Sequence, residues 1–179
     1  MLINWEEHLP VSPTLNSVYD NKHDLLLSIH HESLQTWREV KTTHSDTTRL
    51  LIRCTVAVCT FSLNSHKRQD DNWYITTLVE HSCSALQSCK HKNATATFIS
   101  SHPFFMDMCS HNRNITANDI VAAMKTLYAV DTSTACAYRA RNRLLVSTYG
   151  SPEDSYIDLP AYLDELEERN PGSGNQSER

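Results

Sequence analysis

Apolar positions along this chain change period twice, from helical to extended and back to helical. Over 16–49, Val18, Leu25, Leu26, Ile29 and Leu34 recur at helical spacing behind the polar pair Asn16 and Ser17. That pattern predicts a helix within 22–35. A polar extended segment, WREVKTTHSD, follows it. From Arg49 the composition turns to that of strands: RLLIRCTVAVCTFSLNSHKR is dense in β-branched and apolar residues. The polar stretch HKRQDDN interrupts it, and WYITTLVEH forms a second run. The two runs predict an antiparallel hairpin with its loop near 66–72.

Over 95–149 the helical period returns. Pro103 cannot sit inside a regular helix, so a helix there either kinks or begins. Thr116 with Asp119 makes a T-x-x-D cap ahead of Ile120, Ala123, Met124 and Leu127, which predicts a helix over 117–128. A short AVDTS connection leads to a cap at Ser133 or Thr134 and a helix over 134–148. The pair has the outline of a helix-turn-helix unit or of an ordinary αα-hairpin. Ile120, Met124, Leu127, Tyr138 and Leu145 are its expected core. Beyond Ser151, LPAYLDELEER is a last helical patch, and GSGNQSER reads as a low-complexity end.

The 179 residues suffice for one domain or two small ones, and 40% hydrophobic residues place the chain among globular proteins. The longest apolar runs, at 25–29 and 50–52, fall far short of the ~20 residues of a membrane span. The opening MLINWEEHLP carries acids and lacks a basic-then-apolar order, so no secretory signal is expected. Glycine occurs only at 150, 172 and 174, which excludes P-loop and dinucleotide turns and hence a nucleotide cofactor of that kind.

The net charge of −5 conceals an uneven split. Residues 1–49 carry −3, residues 50–149 carry +4, and residues 150–179 carry −6. A basic middle between acidic flanks is compatible with a nucleic-acid surface. No Ser/His/Asp or Cys/His grouping has the context of a catalytic motif, so no enzymatic activity is expected.

The most informative spacing is Cys54-x4-Cys59, then 21 residues, then His81-x-Cys83. Zinc takes four soft or borderline ligands in a tetrahedron, and structural sites draw two from each of two short segments. The first pair falls where one strand passes to the next; the second closes the following strand. His81 and Cys83 cannot pinch one ion along a regular strand, so the backbone must bend there. Four protein ligands leave no open position, which makes the expected single zinc structural. Cys89 and His91 form a competing C-x-H, whereas Cys109 and Cys136 fall on apolar helix positions. The other histidines lack ligand spacing. An alternative is a secreted, disulfide-bonded protein, to which the sequons at Asn93 and Asn114 lend support.

The order C-x4-C, aromatic strand, H-x-C resembles the zinc-binding fold shared by WRKY, GCM and FLYWCH domains and the amino-terminal region of Mutator-like (MuDR-type) transposases. TRLLIRCTVAVCTFSL (48–63) and WYITTLVEHSCS (73–84) are similar to the strands bearing the two ligand pairs. ITANDIVAAMKTLYAVDTSTACAYRARNRLL (115–145) is similar to the helical segment that follows in the transposases. SYIDLPAYLDELEERNPGS (155–173) is similar to the stretch leading into their catalytic domain. The resemblance implies an α+β protein with a small antiparallel WRKY-like zinc-binding sheet over 16–92, a helical helix-turn-helix-like segment over 95–149 and an acidic linker over 150–179. It implies sequence-specific binding of double-stranded DNA in the nucleus. The RNase H-like catalytic domain is absent from these residues, so the expectation is a fragment or a domesticated derivative that keeps the DNA-binding part.

In the WRKY-like fold a strand edge enters the major groove. The corresponding stretch here runs from Trp37 to Thr43, and it departs from the WRKY heptapeptide beyond its opening Trp-Arg, lacking the glycine. Arg38 and Lys41 are the contacts this implies. Lys67 and Arg68 at the hairpin loop, and Arg139 and Arg143 four apart on one helix, form a second candidate phosphate-binding set, with Arg141 turned to another face. Arg139 and Arg143 could instead face Glu165, Glu167 and Glu168 of the acidic tail. The alternative function is a zinc-stabilised protein–protein interaction module, with protein partners or a homodimer in place of DNA.

Overall fold

The structure is a computed structural model that describes residues 10–85, 89–151, 156 and 159–170. The end GSGNQSER and most of 152–158 lie outside the described residues.

The chain folds as α+β. Strands β1 (Val18–Tyr19), β2 (Val40–Ser45), β3 (Arg49–Cys54), β4 (Ser62–Lys67) and β5 (Trp73–Val79) form one antiparallel sheet in the order β1-β5-β4-β3-β2. Among the described residues the helices are α1 (Lys22–Gln35), α2 (Ala96–Ser101), α3 (Pro103–His111), α4 (Ala117–Tyr128), α5 (Thr134–Tyr149) and α6 (Leu159–Arg169). Among the described residues no helix is long and apolar enough to cross a membrane.

The hairpin expected over 49–81 is a larger sheet. Its first run divides into β3 and β4 around the turn 55–61, and the polar segment before it becomes the edge strand β2. A bulge between Thr42 and His44 lets that strand follow the twist of β3. Alternation in β3 sends Leu50, Ile52 and Cys54 to one face, where they meet Leu63, Trp73 and Ile75 and the α1 residues Leu25 and Ile29. Arg49 and Arg53 therefore lie on the face turned away from α1.

Helix boundaries follow the local chemistry. Asn21 caps α1 through Asp24 N–H, and Thr116 with Asp119 closes a full capping box on α4. Pro103 begins a helix rather than kinking one: it takes the first turn of α3, with His102 as the cap that ends α2. Ser133 caps α5.

Helices α2 to α5 enclose a second core of Phe98, Ile99, Phe105, Cys109, Ile115, Ile120, Met124 and Leu144. Of the expected core positions, Leu127 and Leu145 pack at its edge, but Tyr138 points outward at 56% exposure. The buried stripe of α5 is Ala137, Ala140 and Leu144, and its two alanines let α5 lie close to α2, α3 and α4 at once. α1 serves both cores, since Leu34 on its last turn belongs to the helical one. A buried polar chain strengthens that link. His102 Nδ1 accepts from Phe104 N–H, which leaves its Nε2–H to donate to Tyr128 Oη at 2.8 Å. The Tyr128 hydroxyl then donates to His31 Nδ1 of α1 at 2.7 Å.

Candidate metal centre

β3 delivers Cys54 at its last residue, on the core face. The chain then turns through a Cys59 N–H to Val56 carbonyl hydrogen bond, which swings Cys59 back beside it. β5 stops at Val79, so His81 and Cys83 sit on non-strand backbone, the bend their spacing requires. Two bonds tie the ligand segments together: Thr60 N–H to Ser82 Oγ at 3.0 Å, and Thr60 Oγ1 to Glu80 carbonyl at 3.1 Å.

The ligand atoms of Cys54, Cys59, His81 and Cys83 all lie within 4.8 Å of one another. Cys59 Sγ is 3.4 Å and Cys83 Sγ 3.6 Å from His81 Nδ1, and the Sγ atoms of Cys54 and Cys83 are 3.7 Å apart. A tetrahedral metal bonded at about 2.3 Å to sulfur and about 2.0 Å to nitrogen has S···S edges of about 3.8 Å and S···N edges of about 3.5 Å. The residues fit such an ion, and the group is able to hold one. Phe61 stacks on the His81 ring at 3.9 Å and 10°, which fixes the plane of the imidazole. Arg38 Nε donates to the Cys83 carbonyl at 3.2 Å, anchoring the second ligand pair to the end of α1.

The thiols differ in acidity. Burial works against a Cys59 thiolate, but N–H groups of Phe61, Cys83 and Ser82 and the Cys83 thiol bring its pKa down to about 5. Burial and the neighbouring Cys59 and Cys54 push Cys83 up to about 11. Of these two sulfurs Cys59 is the more readily deprotonated.

The competing pair stays apart from this cluster. Cys89 is exposed, and His91 is buried against Trp37 with its Nδ1 accepting Asn93 N–H. Cys109 lies in the helical core and Cys136 Sγ meets the Ala94 carbonyl. Asn93 is 6% exposed, and its amide holds Val40 N–H, Val40 carbonyl and Ser33 hydroxyl. A side chain bonded in this way is closed to glycosylation, which removes one of the two sequons behind the secreted alternative.

The candidate DNA contacts fall in separate places. Arg38 is half-buried and committed to Cys83. Lys41 is exposed on edge strand β2, directly opposite Arg53. Lys67 pairs with Asp71 at 2.8 Å, and Arg68 lies 4.0 Å over the Tyr74 ring. On α5, Arg139 Nε reaches the Ala135 carbonyl, Arg143 bonds Thr97 Oγ1, and Arg141 reaches the Ile115 carbonyl. Glu165 of α6 pairs with Arg169 at 2.6 Å, Glu168 is exposed, and the side chain of Glu167 lies outside the described residues.

Arg49 and Arg53 were not anticipated. They join Lys41 and His66 on the sheet face turned away from α1, with Arg49 directly opposite His66 and Arg68 over the ring of Tyr74, which pairs with His66 from β5. The alternation in RLLIR, 49–53, was the signal available for them.

Compared with known protein families, with curated proteins and with solved structures, this chain matches none.

Proposed function

We propose that this is a zinc-stabilised double-stranded DNA-binding module of the Mutator-like transposase type, acting in the nucleus, with one structural zinc on Cys54, Cys59, His81 and Cys83. The duplex lies along β2 and the sheet face that carries Arg49 and Arg53. The observation that carries this reading is the charge on that face. Lys41 stands directly across from Arg53, and like charges in register across two strands cost stability. A sheet that keeps such a pair at the end pinned by its metal ligands is suited to an anionic partner. Lys41 and Arg53 can then share phosphates that relieve their repulsion.

The test is anisotropy of labelled duplex DNA with the zinc-loaded chain over a salt series. Binding weakens with a logarithmic slope of about 0.9 per phosphate contact, for about three to six contacts. Changing Arg49 and Arg53 to serine lowers affinity and slope while leaving the melting temperature equal or higher, because a repulsive pair is gone. Absence of salt-sensitive binding by the wild-type chain refutes DNA binding. The protein–protein reading then takes its place, and the uncovered apolar side chains of α6 favour it.

A further inference from the structure

We propose that the chain forms a two-fold dimer in which α6 of each copy docks on the outward stripe of α5 of the other. Among the described residues α6 makes no extensive contact with any other element. Leu159, Tyr162, Leu163 and Leu166 recur at helical spacing, and they are 43%, 59%, 53% and 38% exposed. An isolated helix of 11 residues is marginal in water, so α6 needs a surface to cover this stripe.

α5 offers one. Its inner face is filled by Ala137, Ala140 and Leu144. Its outer face carries Tyr138, Val146 and Tyr149, which are 56%, 49% and 38% exposed, with Asn142 and Leu145 between them. Leu145, Val146 and Tyr149 line a groove of about 690 Å³ together with Arg113, Asn114 and the same chain's Tyr156. Its wall is rigid: Tyr149 Oη donates to the Cys109 carbonyl at 2.8 Å, and Arg113 lies 5.1 Å over the same ring.

Charge selects between the surfaces that α6 could cover. α6 carries Asp164, Glu165, Glu167 and Glu168 against Arg169, so two α6 helices repel each other. α5 carries Arg139, Arg141 and Arg143 and no acid, with Arg139 and Arg143 bordering its apolar stripe. Within one chain α6 makes no extensive contact with α5 and its apolar stripe stays exposed, and on this proposal its cover is the α5 of a second copy. The contact is reciprocal, which doubles a helix-on-helix patch towards the ~1,200 Å² of a stable interface. The dimer does not rest on DNA binding. It occupies Arg139 and Arg143 and leaves phosphate contacts to the sheet.

Sedimentation of the zinc-loaded full chain over a wide concentration range tests this. A monomer–dimer equilibrium that weakens with salt is expected. Leu163→Asp with Leu166→Asp in α6, and separately Val146→Asp in α5, each raise the dissociation constant by about tenfold or more. All three positions are exposed, so circular dichroism stays unchanged. Mixing the two variants restores association, since an intact α6 on one chain meets an intact α5 on the other. A dimer indifferent to Val146→Asp overturns the proposal in favour of another surface. A chain that stays monomeric overturns it as well, and hydrogen exchange over 159–169 then tells closure on its own α5 from an uncovered helix.

Discussion

The sheet half and the helical half of this molecule hold themselves together by different means. The helical half buries Phe98, Ile99, Phe105, Ile120 and Met124 almost completely, in helices each closed by its own cap, with Ile115 of the α3–α4 loop among them. The sheet half buries Leu25, Ile29, Leu50, Ile52, Leu63 and Ile75 as completely, but it leaves an arginine-bearing face open and ends on three thiols and an imidazole held within 4.8 Å. A sheet packed on one face only can be closed at its open end by a metal cross-link that side-chain packing does not supply. α1 belongs to both halves, through Leu25 and Ile29 on one side and Leu34 on the other.

The sharpest way to break this comparison is to remove the metal. Structural zinc contributes on the order of 10 kcal/mol to folding of small modules. Chelation, or Cys59→Ala, is expected to abolish the tertiary signal of the sheet while the helical circular dichroism of α2 to α5 persists at reduced stability, because α1 loses half of its support. One zinc per chain by elemental measurement, retained in Cys136→Ala and lost in Cys59→Ala, is the companion result. Simultaneous loss of both signals would show that α1 couples the halves into one cooperative unit.

A smaller change targets the junction. Tyr128→Phe leaves His102 Nε2–H and His31 Nδ1 buried without partners, at about 1–3 kcal/mol for each orphaned group. The denaturant midpoint falls accordingly while zinc stoichiometry holds. Phe is nearly the same shape, so a loss much below this range would mean the hydroxyl contributes little to joining α1 to α4.

Near neutral pH the smallest expected effect is a dependence on pH, which grows only as the solution is made acid. Burial and the neighbouring His31 lower His102 to about 3, and burial with the neighbouring His91 lowers His30 to about 4. The unfolded chain binds protons at these rings from about 6.5 downwards, whereas the folded chain does not. Their contribution is therefore present in full above about pH 6.5 and is lost progressively as pH falls towards 4 and 3. In denaturant titrations His102→Gln flattens this slope relative to wild type; an unchanged slope would place the acid sensitivity elsewhere, at the metal ligands.

Much of this architecture is legible in the residues themselves. Helix starts at Thr116 and Ser133, the break at Pro103 and the ligand spacing of Cys54, Cys59, His81 and Cys83 are local. Each depends on hydrogen bonds or backbone limits acting within a few positions. Long-range pairing is not local in that way. That WREVKTTHSD pairs as an edge strand, that Tyr138 faces out while Ala137 and Ala140 face in, and that Arg38 turns to Cys83 depend on partners distant in sequence. So does the burial of Asn93 between Ser33 and Val40. The helical period of α5 is satisfied by either face, and only the approach of α2, α3 and α4 selects the small-residue stripe. Arg49 and Arg53 likewise alternate with core residues in any register, but which cations stand opposite them was decided when β2 and β4 closed on β3.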